Sequence, residues 1–213
     1  SGRCIQAINY KHANGGYTEH VADSLTHVFH TLGGREVRDG GGIKPDVEVK
    51  PDSLPNIAFY LAGTGRDSSE VLLNWELKYI KAHPTIAPAG EFHITDADYA
   101  DFKKDVLASK FKYDGETEKY LQQLVKLAKF EGYYDDAKPE FDAIEKKLKH
   151  NVAKDLDYNS KVIRQLIEAD LVTVYYYQRG AIENSLGSDK QYKAAVDLLL
   201  NPEKYNNILH PKK

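Results

Sequence analysis

Apolar residues recur at helical spacing through residues 53–213, and this pattern predicts a mainly α fold. The strongest signal covers residues 158–186, where aliphatic side chains share one face of the predicted helix, at Ile163, Ile167, Leu171, Val174, Ile182 and Leu186. Gly180 lies inside this segment, where a glycine lowers helix stability by about 1 kcal/mol relative to alanine. We predict one long helix that runs through the glycine.

Capping signals place other helix boundaries. Ser53-Leu54-Pro55 predicts a helix start, Gly63 predicts its end, and His83-Pro84 ends the helix that follows. That second helix carries a wide apolar stripe, which predicts burial on more than one side, formed by Leu72, Leu73, Trp75, Leu77, Tyr79 and Ile80. Thr95-Asp96-Ala97-Asp98 resembles a capping box and precedes an apolar face of Tyr99, Phe102 and Val106.

Three more helices are predicted towards the C-terminus. One covers residues 116–131, and the next begins near Pro139 and carries Phe141, Ile144, Leu148 and Val152. The last covers residues 190–200, beginning at Asp189 and ending before Pro202. Helices joined by short polar loops indicate a bundle or an array.

Residues 1–52 follow a different pattern, with short extended runs between glycine-rich turns. Residues 3–10 form one such run, Glu36-Val37-Arg38 forms another, and Val47 and Val49 alternate as in a half-buried strand. We therefore predict a β-rich segment over residues 1–52 and a helical domain over residues 53–213.

Composition narrows the classes of function. The chain has 213 residues and a formal net charge of −3, and this mixed charge argues against nucleic acid as the main partner. No apolar run is long enough to predict a membrane span, and a single cysteine excludes an internal disulfide framework. The chain contains no methionine at all, which suggests a fragment of a longer protein or a processed product.

The usual catalytic motifs fail on inspection. Gly40-Gly41-Gly42 suggests a phosphate-binding loop, but Ile43-Lys44-Pro45-Asp46 cannot begin the helix that must follow one. No G-x-S-x-G elbow is present, and the lone Cys4 is predicted to be a core residue of a short strand. We predict no catalytic, cofactor-binding or metal-binding residue in this chain.

A group of histidines offers the strongest metal hypothesis. His20, Asp23, His27 and His30 would share one side of a helix, and imidazole and carboxylate groups are suitable zinc or iron ligands. The stretch has weak helix signals and is expected to be extended or irregular, where His27 and His30 would point to opposite faces. Solvated surface histidines are therefore the preferred interpretation, and no bound metal is predicted.

Three consecutive tyrosines, Tyr175, Tyr176 and Tyr177, cover about 200° of a helix surface. A core explains two of them at most, so at least one faces solvent or another body. We expect the third tyrosine to lie at a helix or domain interface, including a contact in a homo-oligomer.

Two motifs, taken together, resemble a known family. The first motif, Ser1-Gly2-Arg3-Cys4-Ile5-Gln6, is similar to an S-G-R-x-I-Q segment. The second runs from Gly33 to Val47, and its part Gly42-Ile43-Lys44-Pro45-Asp46 is similar to a G-I-x-P-D segment. Both segments belong to the C-terminal processing, or tail-specific, serine peptidases. The likeness is greatest to the long-tailed members found in Bacteroidetes, and its motifs cover about residues 1–49.

The resemblance implies an enzyme whose active site lies outside this chain. In that family the nucleophilic serine, the base lysine and the PDZ domain precede the S-G-R-x-I-Q segment. Residues 1–52 would then complete the sheet of the missing catalytic domain, and residues 53–213 would be a helical extension. The resemblance also implies a periplasmic or envelope location, protein or peptide substrates bound through the missing domains, and an inactive fragment.

Two other hypotheses stay open at this point. One is a stand-alone helical interaction module with a β-rich adaptor, and the other is a small metalloprotein that uses the histidine group. The gene sequence that precedes Ser1 distinguishes the first of these from the peptidase, because only the peptidase requires the serine and lysine motifs there.

Overall fold

The computed structural model describes residues 1–5, 22–39, 42–50, 53–63, 70–109, 111–113, 115–149 and 151–210. Within these ranges the chain forms nine α-helices and one two-stranded antiparallel sheet. The strands are β1 (Val28–His30) and β2 (Glu36–Arg38). The helices are α1 (Asn56–Leu61), α2 (Val71–Ala82), α3 (Asp96–Ala108), α4 (Glu116–Glu131), α5 (Lys138–Leu148), α6 (Val152–Tyr158), α7 (Ser160–Leu186), α8 (Lys190–Leu199) and α9 (Pro202–Leu209). The predicted mainly α fold is confirmed.

The chain divides into two compact units. One unit contains Asp52–Ser188, and the other joins Ser1–Pro51 with Asp189–Lys213. The larger unit holds helices α1 to α7, and the smaller holds the two strands with α8 and α9. The predicted division into residues 1–52 and residues 53–213, of which only the second is expected to fold alone, stays a prediction.

The two strands form a short hairpin. Val28 pairs with Arg38, Phe29 with Val37 and His30 with Glu36. The turn is closed by the backbone N–H of Thr31, which donates to the carbonyl of Arg35 at 2.9 Å. Residues 42–50 contain no strand, so the strand predicted at Val47 and Val49 is wrong. An alternating pair of valines needs a ladder partner, and the residues described around it supply none.

The core of the larger unit surrounds the first half of α7. Ile163, Ile167, Leu171 and Val172 are each 0% exposed, and they pack against side chains from α1, α2, α3 and α6. Phe102 of α3 and Leu156 of α6 are equally buried. These residues share faces at helical spacing, so burial of one apolar stripe per helix stabilises the unit.

The start of α3 follows its local sequence. Thr95 accepts a hydrogen bond from the backbone N–H of Asp98, and the Asp98 side chain accepts one from the backbone N–H of Thr95. The predicted capping box is therefore confirmed. Arg164 of α7 also stabilises the start of α3. Its guanidinium donates to the carbonyl of Ile94 at 2.8 Å and lies 4.5 Å from the Tyr99 ring centre.

Some helical predictions need correction. Leu73 and Leu77 are 54% and 55% exposed, so α2 is buried on one side only, where it meets α3 and α7. Val152 begins a separate helix, α6, because Asn151 caps it. A further helix, α9, begins at Pro202, with Asn201 as its cap. No described helix has the length and apolar character needed to cross a membrane.

Candidate functional site

A sharp bend divides α7 into two limbs, residues 160–176 and 178–186. At Tyr177 the backbone has φ 59° and ψ −166°, which breaks the predicted continuous helix. A Cβ atom on Gly180 would lie 2.2 Å from Cβ of Tyr176 and 3.1 Å from Cγ1 of Val172. In a straight helix Val172 and Gly180 are about 12 Å apart along the axis. Glycine is required at this position because the bend brings the two limbs together.

The loop over residues 83–95 holds the bend from one side. Asn184 on the second limb donates its side-chain N–H groups to the carbonyls of Ala89 at 2.9 Å and Phe92 at 3.2 Å. Tyr176 on the first limb donates its hydroxyl to the carbonyl of Ile86 at 3.0 Å. The loop therefore contacts both limbs and fixes the angle between them.

A histidine and a buried carboxylate meet where this loop reaches the first limb. Glu168 is 7% exposed, and its Oε1 accepts a hydrogen bond from the backbone N–H of Ile94 at 2.9 Å. Its Oε2 lies 3.3 Å from Nδ1 of His93, whose side chain is 73% exposed. The Glu168 side chain thus holds the His93 ring in place through Nδ1.

A polar cleft of about 460 Å³ opens between the two limbs. Its lining includes His93, Lys161, Arg164, Glu168, Asn184 and Ser188. Ser185 and Ser188 also face it, but their hydroxyls donate to the carbonyls of Ile182 at 2.8 Å and Ser185 at 3.2 Å. A serine nucleophile needs its proton directed to a base. Neither of these two serines is therefore placed as a nucleophile in the cleft.

A second buried carboxyl group lies between α2 and α7. Glu76 is 8% exposed, and its Oε1 has no hydrogen-bond partner. Burial, and then the nearby charge and hydrogen bond of Asp170, raise the pKa of Glu76 to about 8. At neutral pH the Glu76 carboxyl is mostly protonated and donates to the Asp170 carboxylate, which lies at the exposed edge of the pair.

No functional role was predicted from the sequence for Glu76, His93 or Glu168. A signal was present for Glu76, because it follows Leu72 by four residues and precedes Ile80 by four, inside the apolar stripe of α2. An acid at such a position predicts a buried carboxyl. His93 and Glu168 are 75 residues apart, and only the path of the loop brings them together.

The histidine group gains no support as a metal site. His27 makes its contact with Asp39, whose Oδ2 lies 3.3 Å from Nδ1 of His27. His30 lies on β1, so the stretch is extended as predicted. His20 and the side chain of Asp23 lie outside the described residues. Elsewhere in the described ranges no three His, Cys, Asp or Glu side chains are placed to hold a metal ion. Cys4 is exposed, so its predicted place in a core is wrong.

The three tyrosines have different surroundings from those predicted. Tyr177 is 78% exposed, which confirms that one of them faces outwards. Tyr175 is half-buried and Tyr176 is 36% exposed, so neither is a core residue. Their hydroxyls donate to the carbonyls of His83 and Ile86 in the loop. The two hydroxyl groups hold the bend, and a tyrosine can make such a hydrogen bond when it is only partly buried.

α4 presents an apolar stripe to solvent. Tyr120, Leu124, Leu127 and Phe130 lie at helical spacing and are 66%, 52%, 50% and 89% exposed. Its opposite side forms a groove with α5, floored by Leu121, Val125 and Phe141. Exposed apolar stripes of this kind are a feature of interaction surfaces.

Comparison with known proteins identifies the helical part of the chain. The family model described as "Probable PDZ-protease, C-terminal helical domain" matches residues 59–199, more than half of the sequence. No significant match was found among curated proteins or among solved structures. The matched range contains the bend, the polar cleft, the buried Glu76 and the α4 stripe. The chain belongs to the family of C-terminal helical domains of probable PDZ-proteases.

Proposed function

We propose that this chain is the C-terminal part of a serine endopeptidase of the C-terminal processing type, which cleaves proteins near their C-termini. The single observation that carries the proposal is the family match over residues 59–199, to the helical domain of a probable PDZ-protease. The S-G-R-x-I-Q and G-I-x-P-D resemblances at Ser1–Gln6 and Gly42–Asp46 support the serine type. The proposed location is the periplasm or the cell envelope.

In this proposal the chemistry belongs to residues outside the chain. A lysine acts as general base for a serine nucleophile, and backbone N–H groups stabilise the tetrahedral intermediate. The 213-residue chain contributes the helical domain, in which the described serines of the cleft donate to backbone carbonyls. Its role is structural or one of interaction, and alone it is inactive.

The test uses the product of the complete gene. Two fluorogenic peptides of identical sequence are compared, one with a free C-terminal carboxylate and one with an amidated C-terminus. We expect faster cleavage of the free form, sensitivity to serine-directed inhibitors and no effect of metal chelators. The 213-residue chain is the control and should cleave neither peptide. Inhibition by a chelator, or equal cleavage of both peptides, would contradict the proposed peptidase type.

A second candidate function is assembly with another copy of the chain. The exposed Tyr177, at 78%, favours it, because a large aromatic side chain on the surface is typical of interfaces. Sedimentation of wild type and Tyr177→Ser at several concentrations tests this role. A dimer that weakens in the variant supports assembly through the tyrosines, and a monomer at all concentrations rules it out.

A further inference from the structure

The sequence of α7 favours a straight helix more than a bent one. Residues 160–186 contain no proline, and their single glycine is Gly180. The break occurs at Tyr177, whose φ of 59° with ψ of −166° belongs to a region that is almost restricted to glycine. A tyrosine held there is strained, and such strain persists only where surrounding contacts impose it.

The contacts that impose the bend come from outside the helix. Tyr175, Tyr176 and Asn184 donate hydrogen bonds to carbonyls of the loop over residues 83–92. All of them lie at the surface or are half-buried, and side-chain hydrogen bonds of this kind break and re-form more readily than a core repacks. The bend is thus held by a set of separable polar contacts.

The bent form also leaves apolar side chains exposed. Val174, before the break, is 54% exposed, and Ile182, after it, is 63% exposed. Both were predicted from the sequence to lie on the buried face of a continuous helix. The local sequence is therefore in conflict with the bent conformation at Tyr177, Val174 and Ile182, and agrees with it at Gly180 alone.

We propose that α7 is a two-state hinge at Tyr177, which alternates between the bent form and a straight form in which residues 160–186 make one helix. The polar cleft of about 460 Å³ exists only in the bent form, because its lining comes from both limbs. Whatever occupies the cleft selects the bent form, and release of the loop selects the straight form.

A distance measurement separates the two forms. Spin labels are attached at Lys161→Cys and Ser188→Cys in a Cys4→Ser background, and the distance distribution is measured by pulsed electron resonance. Both sites line the same cleft in the bent form, so the labels are close together. In a straight helix the 27 intervening steps separate them by about 40 Å. We expect a main short distance and a minor long one.

Two substitutions should move the populations in opposite directions. Gly180→Ala places a Cβ 2.2 Å from Tyr176 Cβ in the bent form only, so the long distance should become the main one. Tyr177→Gly relieves the strained backbone and should raise the ratio of bent to straight molecules about tenfold. Gln178→Ala, an exposed change next to the break, is the matched control and should leave the distribution unchanged.

Asn184→Ala provides an independent check, because it removes two loop contacts and leaves the residues at the break unchanged. It should increase the fraction of molecules with the long distance and retain the helical circular dichroism signal. If Gly180→Ala does not fold, this variant tests the hinge in its place. A short distance alone in wild type, Tyr177→Gly and Asn184→Ala would show a rigid bend and overturn the hinge. A long distance alone in all of them would show that no bend forms.

Discussion

Replacement of Glu76 by glutamine tests the buried carboxyl pair between α2 and α7. Glutamine has nearly the shape of protonated glutamate, keeps an N–H donor for Asp170 and cannot ionise. In the folded protein the pKa of Glu76 is raised from 4.5 to about 8. Protonated Glu76 therefore makes its full contribution to the free energy of unfolding below about pH 4.5. This contribution is lost as the pH rises through about 8.

The size of the loss follows from the pKa difference. One pKa unit corresponds to about 1.4 kcal/mol, so the change from 4.5 to about 8 sets an upper limit near 5 kcal/mol. Water at the exposed Asp170 screens the pair and reduces this energy. We expect Glu76→Gln to raise the free energy of unfolding by about 2–3 kcal/mol at pH 9, with little change at pH 5.

Urea unfolding followed by far-ultraviolet circular dichroism measures this difference. Wild type, Glu76→Gln and the control Glu91→Gln are compared at pH 5, 7 and 9. Glu91 is exposed in the loop after α2 and lies outside the buried carboxyl pair, so its variant should follow the wild type. A Glu76→Gln protein that is less stable than wild type at pH 9, or whose pH dependence is parallel to it, would refute the reasoning.

Three further predictions concern the fold. Phe102→Ala, at a side chain that is 0% exposed, should cost about 3–5 kcal/mol by urea unfolding, whereas Leu124→Ala, on the exposed stripe of α4, should change stability by less than about 0.5 kcal/mol. Thr95→Ala removes the capping box of α3 and should cost about 1 kcal/mol, which Thr95→Ser restores; equal stability of all three proteins would show that the cap contributes nothing. A chain of residues 53–213 should give a helical spectrum and a cooperative thermal transition, and an unfolded product would disprove the predicted domain boundary.

Features that depend on a few neighbouring residues were predictable from the sequence. The capping box at Thr95, the end of α2 after Ala82 and the start of α8 at Asp189 agree with the structure, because each is decided within one helical turn. The same local logic predicts α9 from Asn201-Pro202, a cap followed by a proline at the first helical position, although only an end was predicted there.

Features that depend on distant contacts were not predictable. The break in α7 has no proline, and Gly180 is its one local signal, because its cause is the set of loop contacts made by Tyr175, Tyr176 and Asn184. The strand predicted at Val47 is wrong for the same kind of reason. An alternating pattern indicates which side chains a strand would bury, but it does not indicate whether a partner strand is present. The pairing of His93 with Glu168 likewise depends on tertiary structure.

The position of Trp75 gives this protein its own optical probe. Trp75 is the one tryptophan of the sequence, is 3% exposed and donates its indole N–H to Asp101 at 3.1 Å. It is also the neighbour of Glu76 in the chain, and its ring lies 5.6 Å from that of Phe102. Its fluorescence therefore comes from a single site in the core, where opening of the contact between α2 and α3 would shift the emission to longer wavelength. Unfolding of the larger unit can be followed by light without any label.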